Sequence, residues 1–369
     1  MALDAHERPP EGIKRIYKKY QKLQPHALNT EPELLNQHRS LSDAERFKLQ
    51  ISPLHQDPDE LYCVFERFLR DAQSGERSHI SCNGALRLVY QPKHIPGLSI
   101  IPSLLPKAVQ SRLLSRLLHR DLSNLAHKTN VHMHYTVPYP VSESLSSSSP
   151  TPSFFDPIAS PIVFQPLEPT VHKPLSTSQF LNKKLRWMTL GGQYDWTRKL
   201  YPEDPPPPFP PDIADLVQGC FPAMRAQAAI VNLYSPGDTL SLHRDVSESC
   251  DRPLVSISLG CDGVFVIGLP AQSEGEEERV AVVRLKSGDA VIMAGEARYA
   301  WHGVPQIVKG TCPEFLRDWP YGLSSESSGE DGGGERYQMW KGWIEGKRIN
   351  LNVRQMWDQD AEKQHVDEG

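Results

Sequence analysis

The chain has 369 residues, enough to bury a substantial core in one elaborated domain or in two or three smaller ones; one catalytic domain with additions is expected. Its formal net charge of −5, from 40 Lys and Arg against 45 Asp and Glu, excludes attraction of nucleic acid by the molecule as a whole; such a partner has to be met by a local patch. Six scattered cysteines (Cys63, Cys82, Cys220, Cys250, Cys261, Cys312) without a CxxC exclude a zinc ribbon and a disulfide-stapled secreted scaffold.

The opening MALDAHERPPEG lacks the apolar stretch of a signal peptide, and no apolar run approaches the roughly 20 residues of a membrane span. The cytoplasm or the nucleus is the expected compartment, with the mitochondrion as the alternative. Residues 13–23 (IKRIYKKYQKL) form a basic amphipathic helix and 61–69 (LYCVFERFL) a second helix. Polar, Pro-containing segments around them suggest that residues 1–85 are a loosely attached helical arm. From residue 86, LRLVYQPKHIPGLSIIPSLLP reads as short strands and turns, and 107–125 (KAVQSRLLSRLLHRDLSNL) as a helix with its leucines on one side. His132 and His134 share a strand face but have no carboxylate with them, and they read as structural. Residues 137–176 are Ser/Pro-rich, a composition read as a disordered insert.

After one short helix (DIADLVQGCF) come β-prone segments: AQAAIVNLY, TLSLH, LVSISLG, GVFVIGL, VAVVRLK, DAVIMAG and RINLNVR. Gly, Pro and Asp punctuate their junctions, as a barrel or sandwich of short strands requires. The acidic run 274–278 and the loop 322–335 read as solvated, and 359–369 as a polar tail.

His243 and Asp245 are two apart at the end of TLSLH, so a strand aims both at one point. His302 follows the strand DAVIMAG and is placed to be a third ligand from a spatial neighbour. Two imidazoles and one carboxylate suit Fe(II), and zinc with a bound water fits the same donors. Arg348 and Arg354 stand an even number apart in RINLNVR and share a face. Guanidinium is the best bidentate partner of a carboxylate, so the pair suits a dicarboxylate such as 2-oxoglutarate. Asn232 and Tyr234, again two apart, add hydrogen-bond donors.

NLYSPGDTLSLHRD, PLVSISLGCDGVFVIG, GDAVIMAGEARYAWHGVP and RINLNVRQ together resemble the AlkB family of Fe(II)- and 2-oxoglutarate-dependent dioxygenases over at least residues 226–356. LRWMTLGGQYDWT and IPGLSIIPSLLP resemble its eukaryotic branch, typified by the first human AlkB homologue, and extend the resemblance to 88–356. It implies an α+β fold: a double-stranded β-helix (jelly roll) with helices packed on its outer face, here carrying the N-terminal helical extension, with residues 86–358 as the dioxygenase domain. It also implies that His243, Asp245 and His302 hold Fe(II), and that Asn232, Tyr234, Arg348, Asn350 and Arg354 contact 2-oxoglutarate. Arg348 would take the distal carboxylate, with Arg354 near the chelating end. O₂ is the co-oxidant.

The resemblance sets Trp187 and Tyr194 in a lid over a nucleobase, and aromatic faces stack on any base for about 1–3 kcal/mol. Trp196, which alternates with them, joins the lid, and Glu248, following Ser247 beyond the ligand carboxylate, is placed with the substrate contacts. The implied reaction is oxidative demethylation of N-methylated bases in nucleic acid, with tRNA N1-methyladenine first and methylated DNA next. Backbone contacts are expected from Lys183, Lys184 and Arg186, from Arg198 and Lys199, and from the N-terminal basic helix. A protein demethylase or hydroxylase on the same scaffold, a cupin-like binding module and a zinc hydrolase are the alternatives.

Overall fold

Strands whose apolar and polar residues alternate assemble into two facing sheets. In the computed structural model, which describes residues 7–70, 87–141, 152–195, 201–202, 205–273, 275–321 and 336–358, the larger sheet has eight strands. From edge to edge these are Leu49–Pro53, Leu88–Pro92, Leu98–Ile101, Ala290–Met293, Leu254–Gly260, Arg348–Arg354, Ala228–Tyr234 and Trp187–Gly191. The smaller sheet runs Leu34–Leu35, Arg279–Leu285, Gly263–Leu269, Trp301–Ile307 and Leu240–His243. In the second half of the chain successive strands alternate between the sheets except for Gly263–Leu269 and Arg279–Leu285, which pair with each other in the smaller one, as a jelly roll allows.

The period of two sorts each strand by face. In RINLNVR, Ile349, Leu351 and Val353 are fully buried and join one apolar cluster with the helices Pro58–Leu69, Lys107–Ser115 and Pro211–Cys220. The alternate residues Arg348, Asn350, Asn352 and Arg354 face the other way, between the sheets. GVFVIGL does not alternate, because it is buried along its whole length. Its second face is covered by the helix Glu11–Lys22.

That helix corrects the expectation of a loosely attached arm. Ile13, Tyr17 and Tyr20, one per turn, are buried against the smaller sheet. A side chain at Gly268 would stand 2.9 Å from Ile13, so the glycine is what lets the helix approach. Glu278 of the acidic run, read as solvated, accepts a hydrogen bond from the Gly12 amide at 3.1 Å and satisfies one free donor of the helix's first turn. Leu34–Leu35 pairs with Val282 and Val283, and Leu49–Pro53 with Leu88–Pro92, so both sheets recruit strands from this region. The pattern was legible as a helix; its partner was not, because the covering face of GVFVIGL looks like any buried strand. Ile13→Ala is expected to destabilise the whole fold by about 2–5 kcal/mol in urea denaturation; a change under about 0.5 kcal/mol is what a loose arm would give.

The Ser/Pro-rich insert is corrected in part. Tyr135–Thr136, Val163–Pro166 and Leu175–Ser176 form a small antiparallel sheet. Phe154, Phe155 and Phe164 are buried, with Phe155 edge-on to Trp319, Trp340 and Trp343 at 5.1–5.6 Å. Three phenylalanines supply the apolar surface that the surrounding composition conceals. Residues 142–151, the loop 322–335 and the tail 359–369 lie outside the described residues. His132 sits in a short 3-10 turn, not a strand, where its Nδ1 accepts from the Thr129 amide at 2.9 Å, a structural role. Among the described residues no helix is long and apolar enough to cross a membrane.

Candidate metal and cosubstrate site

His243 and His302 lie directly opposite each other on neighbouring antiparallel strands of the smaller sheet, their rings 4.3 Å apart. Asp245, just past the end of its strand, brings one carboxylate oxygen 3.8 Å from His243 Nε2 and the other 3.6 Å from His302 Nε2. One donor atom from each residue lies within 4.8 Å of the other two, a spacing one ion can bridge. Both imidazoles are oriented by the backbone: Nδ1 of His243 donates to the Ser241 carbonyl and Nδ1 of His302 to the Ala300 carbonyl, each at 3.0 Å. With the proton held at Nδ1, each Nε2 keeps its lone pair directed at the shared point. Desolvation and neighbouring His302 push His243 down to about 4, so it is neutral near pH 7, as a ligand must be.

Behind the ligands, Arg244 lies over the Trp301 ring at 4.8 Å and pairs with Glu7. This contact joins the two ligand strands on the face opposite the site.

Burial acts against ionisation of Asp245, yet Arg354 and the two histidines hold its carboxyl well below the usual range. Arg354 reaches Asp245 at 3.4–3.5 Å and Glu248 at 3.0 Å. Arg298, almost fully buried, donates to Glu248 at 2.8 Å and to the Asp245 carbonyl at 2.7 Å. Glu248, which the sequence placed with the substrate contacts, is instead committed to these two arginines. Its carboxylate is fully buried between two arginines and fixes the loop that carries Asp245. Glu248→Ala would leave two buried guanidiniums without this partner, and a loss of about 3–5 kcal/mol of stability is expected. Urea denaturation measures it; a loss of under about 0.5 kcal/mol, typical of a surface position, would show that the network is not structural.

Arg348 is handled differently. It is buried, and among the described residues it forms no ion pair; its hydrogen bonds go to the Cys261 and Leu285 carbonyls and to Ser258 Oγ at 2.7 Å. Desolvation lowers its pKa, the direction expected of a cation still lacking an anion. Across the strand pair, Arg348 stands opposite Tyr234, and Asn350 opposite Asn232. The Tyr234 hydroxyl and Arg348 Nε are buried without hydrogen-bond partners among the described residues. Unpaired polar atoms of this kind are costly unless a ligand satisfies them. The donor set thus fits a buried carboxylate beside a three-ligand metal point. Asn350 is already committed to Ser256 Oγ and the Ile257 carbonyl, and so orients the cradle more than it opens into it.

Residues 97–354 match the family model described as the 2OG-Fe(II) oxygenase superfamily. The chain is also 45% identical over 367 residues to the N6-methyladenosine RNA demethylase ALKB1 of Pyricularia oryzae, covering 96% of this chain and 98% of that one. The chain belongs to the 2OG-Fe(II) oxygenase superfamily, in its AlkB branch. It is 50% identical over 237 residues to the N6-methyladenosine RNA demethylase ALKBH of Cryphonectria parasitica (62% of this chain, 100% of the relative). Identity to the tRNA demethylase abh1 of Schizosaccharomyces pombe is 37% over 276 residues (73% and 82%).

The mouth of this AlkB-type oxygenase is less complete in the sequence reading than its floor. Trp187 is the first residue of the edge strand and pairs with Asn232, which brings it beside the cosubstrate cradle. Tyr194 shares a hydrogen bond with the Ser247 side chain, two residues past Asp245, and so leans over the ligand loop. Trp196, Arg198 and Lys199 lie outside the described residues. Tyr201 was missed: its ring packs edge-on to Tyr194 at 5.2 Å, and its hydroxyl is buried beside Arg354. The signal was the Gly191-Gly192 pair, because a Cβ at Gly192 would meet the Tyr201 ring at 3.2 Å. Arg298 was missed too, and nothing in GEARYAWHG distinguishes it from a surface arginine.

Proposed function

We propose that this oxygenase removes N-methyl groups from adenine bases in RNA. His243, Asp245 and His302 would hold Fe(II), and Arg348 with Tyr234 would hold the distal carboxylate of 2-oxoglutarate. The observation that carries the reading is the combination of a three-ligand metal point with an unpaired buried guanidinium. A zinc hydrolase has no use for the second feature. When bound, Fe(II), 2-oxoglutarate and O₂ supply oxidation of the methyl carbon, with formaldehyde, succinate, CO₂ and the unmodified base as products.

The chain's own groups bind and orient. Arg354 keeps Asp245 ionised, the two backbone carbonyls keep both Nε2 atoms unprotonated, and the cradle fixes the cosubstrate by charge-assisted hydrogen bonds. Trp187, Tyr194 and Tyr201 offer ring faces and edges at the mouth for an unstacked base. A base in a duplex must be flipped out to reach them.

Adenine in RNA is favoured because two relatives with high identity are named for RNA N6-methyladenosine and a third for tRNA. The N1-methyladenine of tRNA favoured by the sequence reading is one arm of the test, and methylated DNA another. Formaldehyde and succinate would be measured on matched oligonucleotides carrying N6-methyladenine or N1-methyladenine, as RNA and as DNA. The reading predicts the highest kcat/KM on a methyladenine RNA. Absence of turnover on every nucleic acid, with turnover on a methylated peptide, would replace it with the protein-demethylase alternative.

A further inference from the structure

An acidic chain needs a local positive patch to hold RNA; of the residues the sequence suggested for one, Lys183 and Lys184 are exposed, and Arg198 and Lys199 lie outside the described residues. Arg186 is paired with Asp238, which takes its charge out of that patch. A denser array lies on the helical layer outside the larger sheet. Arg112, Arg116 and Arg120 recur every four residues along the helix Lys107–Ser115 and its continuation Arg116–Asp121, so they fall on one side. Arg67 and Arg70, from the last turn and C-cap of Pro58–Leu69, meet them across an open cavity of about 550 Å³.

Five guanidiniums line this cavity against the lining carboxylates Asp212 and Asp215, and the buried Asp121 also pairs with Arg120 at 2.7 Å, which leaves a surplus of two positive charges on a chain of net charge −5. Asp212 holds Arg116 and Arg120, each at 2.7 Å, and Arg116 is stacked over the Phe68 ring at 4.2 Å. The floor of the groove is therefore rigid, while Arg67 and Arg70 stand exposed at its rim. Asp212 and Asp121 offset the like charges repeated at four-residue spacing along the helix, so the charge offered to a ligand is carried at the rim by the exposed Arg67 and Arg70. One wall is the helix Pro211–Cys220. It starts ten residues after Tyr201, and Phe209 in between packs on Gly191 of the site's edge strand. Ten residues reach at most about 35 Å, so the groove and the mouth lie within the span of one folded RNA.

We propose that this arginine-lined groove binds the phosphate backbone of the RNA whose methylated base enters the metal site. Arginine forks suit phosphate oxygens bidentately, and a surplus of positive charge points to backbone contact. The proposal rests on the RNA reading above and assigns a part of the molecule that the chemistry does not use.

The test separates docking from chemistry. In the full chain, Arg67→Gln with Arg70→Gln is compared with wild type on two probes: a methylated trinucleotide, too short to span both places, and a tRNA-sized methylated RNA. The double variant is expected to raise Kd for the long RNA about tenfold near 0.1 M salt and to reduce the slope of log K against log[salt] by about 1.5 to 2. Turnover of the trinucleotide should stay within twofold, and the thermal midpoint should not move, both residues being exposed. Arg67→Lys with Arg70→Lys should retain most of the slope, because charge is kept.

Unchanged Kd and slope for the long RNA, with the trinucleotide still demethylated, would overturn the groove and leave the RNA reading standing. If wild type demethylates neither RNA, the RNA reading fails first, and the groove falls with it.

Discussion

His243→Ala is expected to lower succinate formation by at least about 10³-fold, on the order of 4 kcal/mol of transition-state stabilisation, while leaving the fold intact. The two imidazoles form one cross-strand pair, and removing either leaves the ion with one histidine and Asp245, too few donors to fix a facial site. Stability should survive because the His243 side chain is 35% exposed and, among the described residues, its hydrogen bond goes to a carbonyl two residues away. The measurements are succinate release under saturating Fe(II), metal content after anaerobic reconstitution, and the apo-protein's thermal midpoint. Full metal occupancy with normal turnover would remove His243 from the ligand set. Loss of turnover with unchanged function in cells would instead favour the binding-module reading.

How much of this was legible depended on whether a residue's role is set by local period or by distant packing. A period of two was enough to put His243 with Asp245, Arg348 with Arg354 and Asn232 with Tyr234 on common faces, and the register confirms that Arg348 faces Tyr234 and Asn350 faces Asn232. These are strand properties, and a strand writes its faces directly into its sequence. Glu248 and Arg298 follow no such rule. Each lies in a loop or 3-10 segment whose conformation comes from the rest of the fold, so a carboxylate near the site looked like a substrate contact when it is the buried link between two arginines. The helix Glu11–Lys22 and the arginine groove failed for a related reason. Their own spacing was visible, but their partners lie hundreds of residues away in the first case and on a separate helix in the second.

Arg348→Met should raise the KM for 2-oxoglutarate by about 30-fold or more, since truncating one side of a buried charge pair costs about 2–5 kcal/mol. The same change should barely alter the stability of the ligand-free protein. Methionine approximates the volume of the arginine stem, and removing an unpaired buried guanidinium relieves a desolvation penalty of several kcal/mol. Against that stand three lost hydrogen bonds, to Cys261, Leu285 and Ser258, worth about 0.5–1.5 kcal/mol each. The two effects nearly offset, so the deficit appears only when the cosubstrate is present. Wild type at 2-oxoglutarate a hundredfold above its Kd should gain about 2.7 kcal/mol of stability, and Arg348→Met should gain almost none at that concentration. Arg348→Lys keeps the charge but not the fork, and should fall between them. Chemical denaturation with and without 2-oxoglutarate, read beside the KM, decides the matter. A variant with an unchanged KM and an unchanged ligand-induced shift would mean that the dicarboxylate is anchored elsewhere, and that Arg348 is buried for the sake of its three backbone and hydroxyl partners alone.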